Sequence, residues 1–335
     1  MWTPQSEELS RSTGWHTVAE QQALCDAVVA VGGAGAASAP LALSLAREGV
    51  QRFRFADPDV IERSNFNRHP CASNNTLGQN KAEALADMIH GINQATVVEV
   101  YPEGVTRENV REFVKGADLV FDGIDFNSLA ASVRLHVAAR RHRIPVLTGL
   151  EIGPSAMVTS FMPDGVTFEE TNGYDPIDPM GSKESIERSI EQIAKAAENG
   201  PDIAKAVPYL PINSSRLSVM KAVLMGAPLP TKGSGVNLLA SITFEEAFNH
   251  LTSGAESSEP DWAHILRRIT GRQRGGDNRP LPTVAPHYRV IDLNRNKAMV
   301  GRPSILRFTR SAMVLALRSM WNLNPDVVYD PGDEE

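Results

Sequence analysis

The sequence predicts an α/β protein with a doubly wound, mostly parallel sheet and helices on both faces, and three observations carry that prediction. From about residue 27 to 162, short apolar runs alternate with longer stretches of helical period, the rhythm of βαβ units. Each of the first five runs ends where glycine or polar residues cluster, at 32–35, 57–59, 101–104, 122–125 and 148–149. In such folds ligands bind at the carboxyl ends of the strands. With 335 residues, 42% hydrophobic and 22% charged, the chain also has apolar material for one large or two ordinary domains.

The elements follow in order. AVVAV (27–31), RFRFA (52–56), TVVEV (96–100), DLVF (118–121) and IPVLTG (144–149) read as strands one to five, and AMVTSFM (156–162) as a sixth. Proline and glycine break any period over 163–185, which reads as a long irregular crossover. In the next segment Ile186, Ile190, Ile193 and Ala197 fall at helical spacing, and Gly200-Pro201 ends the helix. A Gly/Pro-rich loop (225–235) precedes an apolar helix over 236–252. Residues 255–283 read as a linker or flap around a short helix at 261–269, and 284–335 as a C-terminal extension. That extension carries a strand (288–292), a helix (307–321) and a frayed acidic tail. The division is thus 1–254, 255–283 and 284–335.

Composition narrows the function. No run approaches the eighteen or so apolar residues of a membrane span, and the first residues have neither the basic nor the apolar region of a signal peptide. The expectation is a cytoplasmic protein without membrane attachment. Two cysteines, Cys25 and Cys71, are too few for a disulfide framework or a Cys-rich zinc site. A net charge of −7 argues against nucleic acid as partner and toward small substrates or proteins.

The first strand runs into Gly33-Ala34-Gly35-Ala36-Ala37-Ser38 and then a helix, the strand–turn–helix context of a Rossmann-like nucleotide loop. Gly33 permits the tight turn. Gly35 lets the backbone approach a phosphate at the helix start, and Ser38 is small enough to keep helix and sheet close. Asp57 follows 24 positions after Gly33, near the spacing at which a carboxylate accepts hydrogen bonds from ribose. Asn65 and Arg68 lie just past the second strand, and Lys81 opens a helix. Two cations beside a glycine loop suit a triphosphate better than a dinucleotide. Asp122 and Asp125 end the fourth strand, where a carboxylate can hold Mg²⁺; Asp122 either touches the metal or orients Asp125.

These segments, in this order and spacing over 8–254, resemble the ThiF/MoeB/HesA superfamily, adenylating enzymes related to ubiquitin-activating enzymes. The resemblance rests on the leader SRSTGWHTVAEQQAL, the glycine loop, DPDVIERSNFNR, LGQNKAEALADMIHGIN, DLVFDGIDFN, GPSAMVTSFMPDG and the helix after TKGSG. It implies an enzyme, usually a homodimer, that binds ATP–Mg²⁺, activates a carboxylate as an acyl-adenylate and releases pyrophosphate. It also implies that Gly33 and Gly35 form the loop, that Asp57 holds the ribose and that Asn65, Arg68 and Lys81 contact phosphates. Asp125 is then the Mg²⁺ ligand, and Arg11 resembles a leader arginine that reaches into the neighbouring subunit's site.

The chain departs from the pattern in four places. No cysteine lies between residues 72 and 335 to form a thioester, and FEETNGY (168–174) stands where relatives have the first of two CxxC zinc pairs. Ala36 replaces a loop glycine, and Phe126 follows Asp125 in place of asparagine. The leading expectation is therefore adenylation with direct capture by a nucleophile and no zinc site. The alternatives are an NAD-dependent oxidoreductase, resting on the glycine loop and Asp57 alone, and a catalytically silent nucleotide-binding scaffold. Cys25 and Cys71 read as packed residues, His69 as an exposed loop histidine, and Arg140–Arg143 as a solvated helix end.

Overall fold

The computed structural model describes residues 1–125, 128–152, 155–198, 231–255, 284–285, 288–292 and 297–301. The expected helices at 261–269 and 307–321, the acidic tail, Gly200-Pro201 and most of the linker lie outside the described residues. The apolar runs form the middle of one eight-stranded sheet in the order β3-β2-β1-β4-β5-β6-β7-β8. β1 (Val28–Gly32), β2 (Arg52–Ala56), β3 (Val97–Tyr101), β4 (Leu119–Asp122) and β5 (Val146–Ile152) pair in parallel. β6 (Ser155–Phe161), β7 (Tyr288–Asp292) and β8 (Lys297–Gly301) extend the sheet in antiparallel fashion. The segment expected as an extension thus shares its sheet with the first 254 residues, and β8 is a strand that the sequence pattern did not indicate.

Both faces of the parallel part are covered, which is why β1 and β4 are apolar almost throughout. On one face α2 (Ala39–Arg47), α3 (Lys81–Ile92) and α8 (Gly233–Leu251) bury Val29, Val31, Phe53, Phe55, Leu119, Phe121 and Leu147. On the other, α4 (Val110–Val114) and α5 (Leu129–Arg141) cover Ala30, Val120 and Val146. α1 (Val18–Asp26) precedes β1 and starts with a capping box between Thr17 and Glu20. α7 (Lys183–Glu198) sets Ile190 and Ile193 against Val133 and Val137 of α5, the face its isoleucine spacing predicts. No helix among the described residues is long and apolar enough to cross a membrane.

The crossover is more ordered than its proline and glycine content suggests. Phe168–Thr171 form the short helix α6, with its own Thr167/Glu170 capping box. Its Glu169, fully buried, pairs with Arg140 of α5 at 3.4 Å, and Arg140 also donates to the Ile177 carbonyl. Arg140 is therefore a fastener of the crossover and not part of a solvated helix end. Arg143 does face solvent, paired with Asp164 at 2.6 Å.

Register brings the strand exits together. Gly32 of β1 lies opposite Ala56 of β2 and Asp122 of β4, and Asp122 lies opposite Thr148 of β5. The chain order reverses between β1 and β4, which makes the crevice above them the topological switch point.

Candidate active site

The glycine loop leaves β1 at that switch point. Gly33 has φ +83°, and a Cβ there would sit 2.5 Å from the Gly123 carbonyl oxygen, so only glycine permits the turn after β4 to pack against the loop. A Cβ on Gly35 would meet nothing within 4 Å; the backbone there opens onto free space at the start of α2. Ser38 is fully buried and its hydroxyl donates to the Gly33 carbonyl. Its side chain shapes the loop from within, so any contact of Ser38 with a nucleotide falls to its backbone.

Asp57 closes the other side of the loop. Its carboxylate accepts the Asp59 N–H at 2.9 Å and is also hydrogen-bonded by the Ala34 N–H of the loop. Burial pushes its pKa above the ordinary aspartate value, against the pull of those bonds and of Lys81. Lys81 arrives here because Asn80 ties the start of α3 to the strand exits. The Asn80 Oδ1 accepts the Ala82 and Glu83 N–H groups, while its Nδ2 donates to the Asp57 carbonyl at 2.8 Å and the Pro102 carbonyl at 3.3 Å. Lys81 Nζ lies 2.7 Å from Asp59 Oδ2.

His69 is not the exposed loop residue the sequence suggests. It is buried, its Nδ1 accepts the Cys71 N–H at 3.1 Å, and its Nε2 therefore carries the proton and donates to the Ala34 carbonyl at 2.9 Å. Burial holds its pKa below the usual histidine value, and this neutral ring supports the glycine loop from beneath. Arg68 immediately precedes it, its Nη1 donating to the Ser64 carbonyl at 2.6 Å and to Asn67 Oδ1 at 2.8 Å. Asn65 is mostly enclosed; its Oδ1 accepts the Glu62 N–H at 3.0 Å, so it shapes the turn that presents Arg68. Cys71 is buried, and burial pushes its thiol up to about 12, far from a reactive thiolate.

After β4 the two acids diverge. Asp122 is buried, with Oδ1 accepting the Ile124 N–H at 3.1 Å and the Ser132 hydroxyl at 3.3 Å, and Oδ2 facing His136 Nε2 at 3.1 Å. Both its oxygens are engaged, so it orients the turn. Asp125 is exposed at the end of that turn, which packs on the glycine loop through Gly123 and Gly33. Among the described residues no three His, Cys, Asp or Glu side chains cluster as a metal cage. One exposed carboxylate beside a phosphate loop fits Mg²⁺ carried in by a nucleotide, which keeps phosphate oxygens and water as its other ligands.

Glu151 is a residue that the sequence reading passed over. It lies on β5 three positions beyond Thr148, is buried, and accepts the Lys232 N–H at 3.3 Å. Burial raises its pKa to about 7, with the Arg68 charge pulling the other way. An acid inside the apolar run LTGLEI was the available signal. The segment that caps it also reaches the Arg68 loop, through Asn67 Nδ2 to the Thr231 carbonyl at 3.2 Å. Beside it an open cleft of about 380 Å³ runs between Pro40 and Leu43 of α2, Phe66 and Arg68, and Gly233 and Asn237 of α8.

Arg11 is not part of this cluster. It is exposed, and its neighbour Ser12 bonds Glu48 at 2.6 Å, just past the far end of α2 from the glycine loop.

The model of the ThiF family matches residues 9–264, a span that includes the glycine loop, Asp57, Arg68, Lys81 and Asp125. The chain belongs to the ThiF family. Within it, this ThiF-family chain is similar to the SAMP-activating enzyme E1 of Haloferax volcanii, 34% identical over 145 residues that make up 43% of this chain and 53% of that protein. It is likewise 34% identical over 128 residues to the tRNA threonylcarbamoyladenosine dehydratase of Escherichia coli K12, covering 38% of this chain and 47% of the relative. The chain thus spans about half the length of these relatives. The crystal structure of E. coli MccB with ATP superposes with a TM-score of 0.56 at 14% identity over 88% of this chain and 70% of that one, a likeness of fold.

Proposed function

We propose that the chain is an ATP-dependent adenylyltransferase that activates a carboxylate, on a small acid or at a peptide or protein C-terminus, and passes it directly to a nucleophile. The observation that carries this reading is the packing of the Asp125 turn on a glycine loop that Asp57 flanks, with Lys81 and Arg68 on the neighbouring segments. The similarity to an enzyme named as an activating enzyme and the MccB structure solved with ATP support it. An oxygen of the ionised substrate carboxylate attacks the α-phosphorus; the bond from that phosphorus to the bridging oxygen breaks, and pyrophosphate leaves with its electrons. No general base is required, because a carboxylate is ionised near neutral pH. The loop N–H groups and Asp57 hold the nucleotide, and Arg68 and Lys81 offset charge developing on the phosphates. When bound, Mg²⁺ supplies further neutralisation of phosphate charge, held on the protein side by Asp125.

Direct capture is favoured over a thiol relay because both cysteines are buried, and Cys71 is held protonated. The unpaired thiols also suit a reducing, cytoplasmic setting. We further place the working unit as a homodimer in which Arg11 serves the partner's phosphates.

Calorimetry with ATP–Mg²⁺ and NAD⁺, followed by ATP–pyrophosphate exchange across a panel of carboxylates and C-terminal peptides, tests the reading. The expected result is ATP binding without NAD⁺ binding, and exchange stimulated by one class of carboxylate. NAD⁺ binding without a response to ATP overturns it, and ATP binding with no exchange for any carboxylate replaces it with a silent nucleotide-binding scaffold.

A further inference from the structure

Asp122 and Asp125 are joined by a single turn, and the turn's shape is set by bonds to Asp122. Its Oδ1 accepts the Ile124 N–H, an Asx-type turn that directs the chain toward Asp125, and its Oδ2 is held by His136 Nε2 at 3.1 Å. His136 is itself 4% exposed, one turn of α5 before Arg140. Its ring stacks on Phe168 of α6 at a centroid distance of 4.2 Å and 16° between planes, and meets Phe161 of β6 edge-on at 4.9 Å. The crossover is therefore clamped to α5 twice on one helix face, by Phe168 on His136 and by Glu169 on Arg140. A ring that holds a site carboxylate on one edge and carries the crossover on its face couples the two.

We propose that His136 is a positioning residue: through Asp122 it fixes the turn that presents Asp125 to a nucleotide-bound cation, and its stacking on Phe168 makes that setting depend on the seating of the crossover. The proposal rests on the reading of Asp125 as the residue facing the cation. Its chemistry is that of outer-shell partners in general, which orient a metal-binding carboxylate without touching the metal.

The test is Mn²⁺ binding followed by electron paramagnetic resonance, with non-hydrolysable AMPCPP as the nucleotide, in wild type, His136→Leu, His136→Gln and Phe168→Ala. His136→Leu is expected to weaken Mn²⁺ binding in the nucleotide complex about tenfold or more, while AMPCPP affinity measured in EDTA changes little. His136→Gln, whose amide nitrogen can take the place of Nε2, recovers most of the loss, and Phe168→Ala weakens Mn²⁺ binding selectively but less. Unchanged Mn²⁺ affinity in folded His136→Leu, or equal loss of metal-bound and metal-free nucleotide, overturns the proposal. Should His136→Leu not fold, Phe168→Ala decides: selective weakening supports the coupling and unchanged Mn²⁺ affinity sinks it. A wild-type chain that binds AMPCPP but no Mn²⁺ overturns instead the assignment of Asp125.

Discussion

At the scale of single residues, burial sorts the candidate chemistry. Cys71 is joined to the glycine loop through His69, yet burial keeps its thiol protonated and nothing lowers its pKa. Cys71→Ala is expected to leave pyrophosphate release and product formation near wild type, at a stability cost on the order of 1 kcal/mol. Mass spectrometry of the denatured enzyme checks the same point, since a thioester adduct on Cys71 would restore the thiol relay. Lys81→Ala, by contrast, removes a cation that pairs with the exposed Asp59 at the edge of the site. A drop in exchange rate of roughly a hundredfold is expected, the usual worth of one preorganised charge. Glu151 gives a pH signature. Its folded-state pKa is about 7 against roughly 4.3 in an unfolded chain, so the folded protein binds the extra proton. The stability it contributes is full below the unfolded value and is lost as pH rises through 7. Urea unfolding should therefore show wild type losing about 2–3 kcal/mol between pH 5 and pH 8 from this group, a loss that Glu151→Gln removes. Parallel pH profiles for the two proteins would contradict the assignment.

At the scale of elements, the crossover shows where a linear reading stops. Strands β1 to β6 and helices α7 and α8 are readable from local period, because each buries one face whose residues recur at fixed spacing. Gly33, Asp57 and Asp125 are readable as strand-exit residues because the turns after strands carry them, and Lys81 as the residue that opens a helix. α6 is not, since a four-residue turn is held by partners such as Arg140, 29 positions away, and His136, 32 positions away. The same distance hides the support role of His69, whose partner Ala34 lies 35 positions away. Where relatives are expected to use metal-binding cysteines, this segment is secured by a buried ion pair and a stacked ring. Breaking such a pair leaves an uncompensated charge. Glu169→Ala should therefore lower unfolding free energy by about 3 kcal/mol, and Glu169→Ala combined with Arg140→Met by clearly less. Urea denaturation of both variants decides this, and equal losses would mean that the ion pair is not what fastens the crossover.

At the scale of the whole molecule, the position of Arg11 makes the proposed homodimer testable. The glycine loop enters α2 at one end and the leader docks at the other, through Ser12 on Glu48. The nine residues of α2 put roughly 13 Å between those ends, and the Arg11 side chain points into solvent. Close by, Trp15 is 83% and Val18 65% exposed, an apolar surface of the kind that a second copy covers. If Arg11 serves a neighbour's phosphates, a site consists of Lys81 from one chain and Arg11 from the other. Arg11→Ala and Lys81→Ala homodimers would then each be defective. Mixing them and allowing subunits to exchange creates heterodimers in which one of two sites holds both residues. Exchange activity should recover to roughly a quarter of the wild-type rate, since about half of the dimers are mixed and each has one intact site. Recovery that rises with exchange time and stops when subunits are cross-linked before mixing would identify the shared site. A mixture that stays as inactive as its parts, while light scattering reports dimers, would put Arg11 in its own chain's site, and an Arg11→Ala homodimer with full activity would put it outside the chemistry.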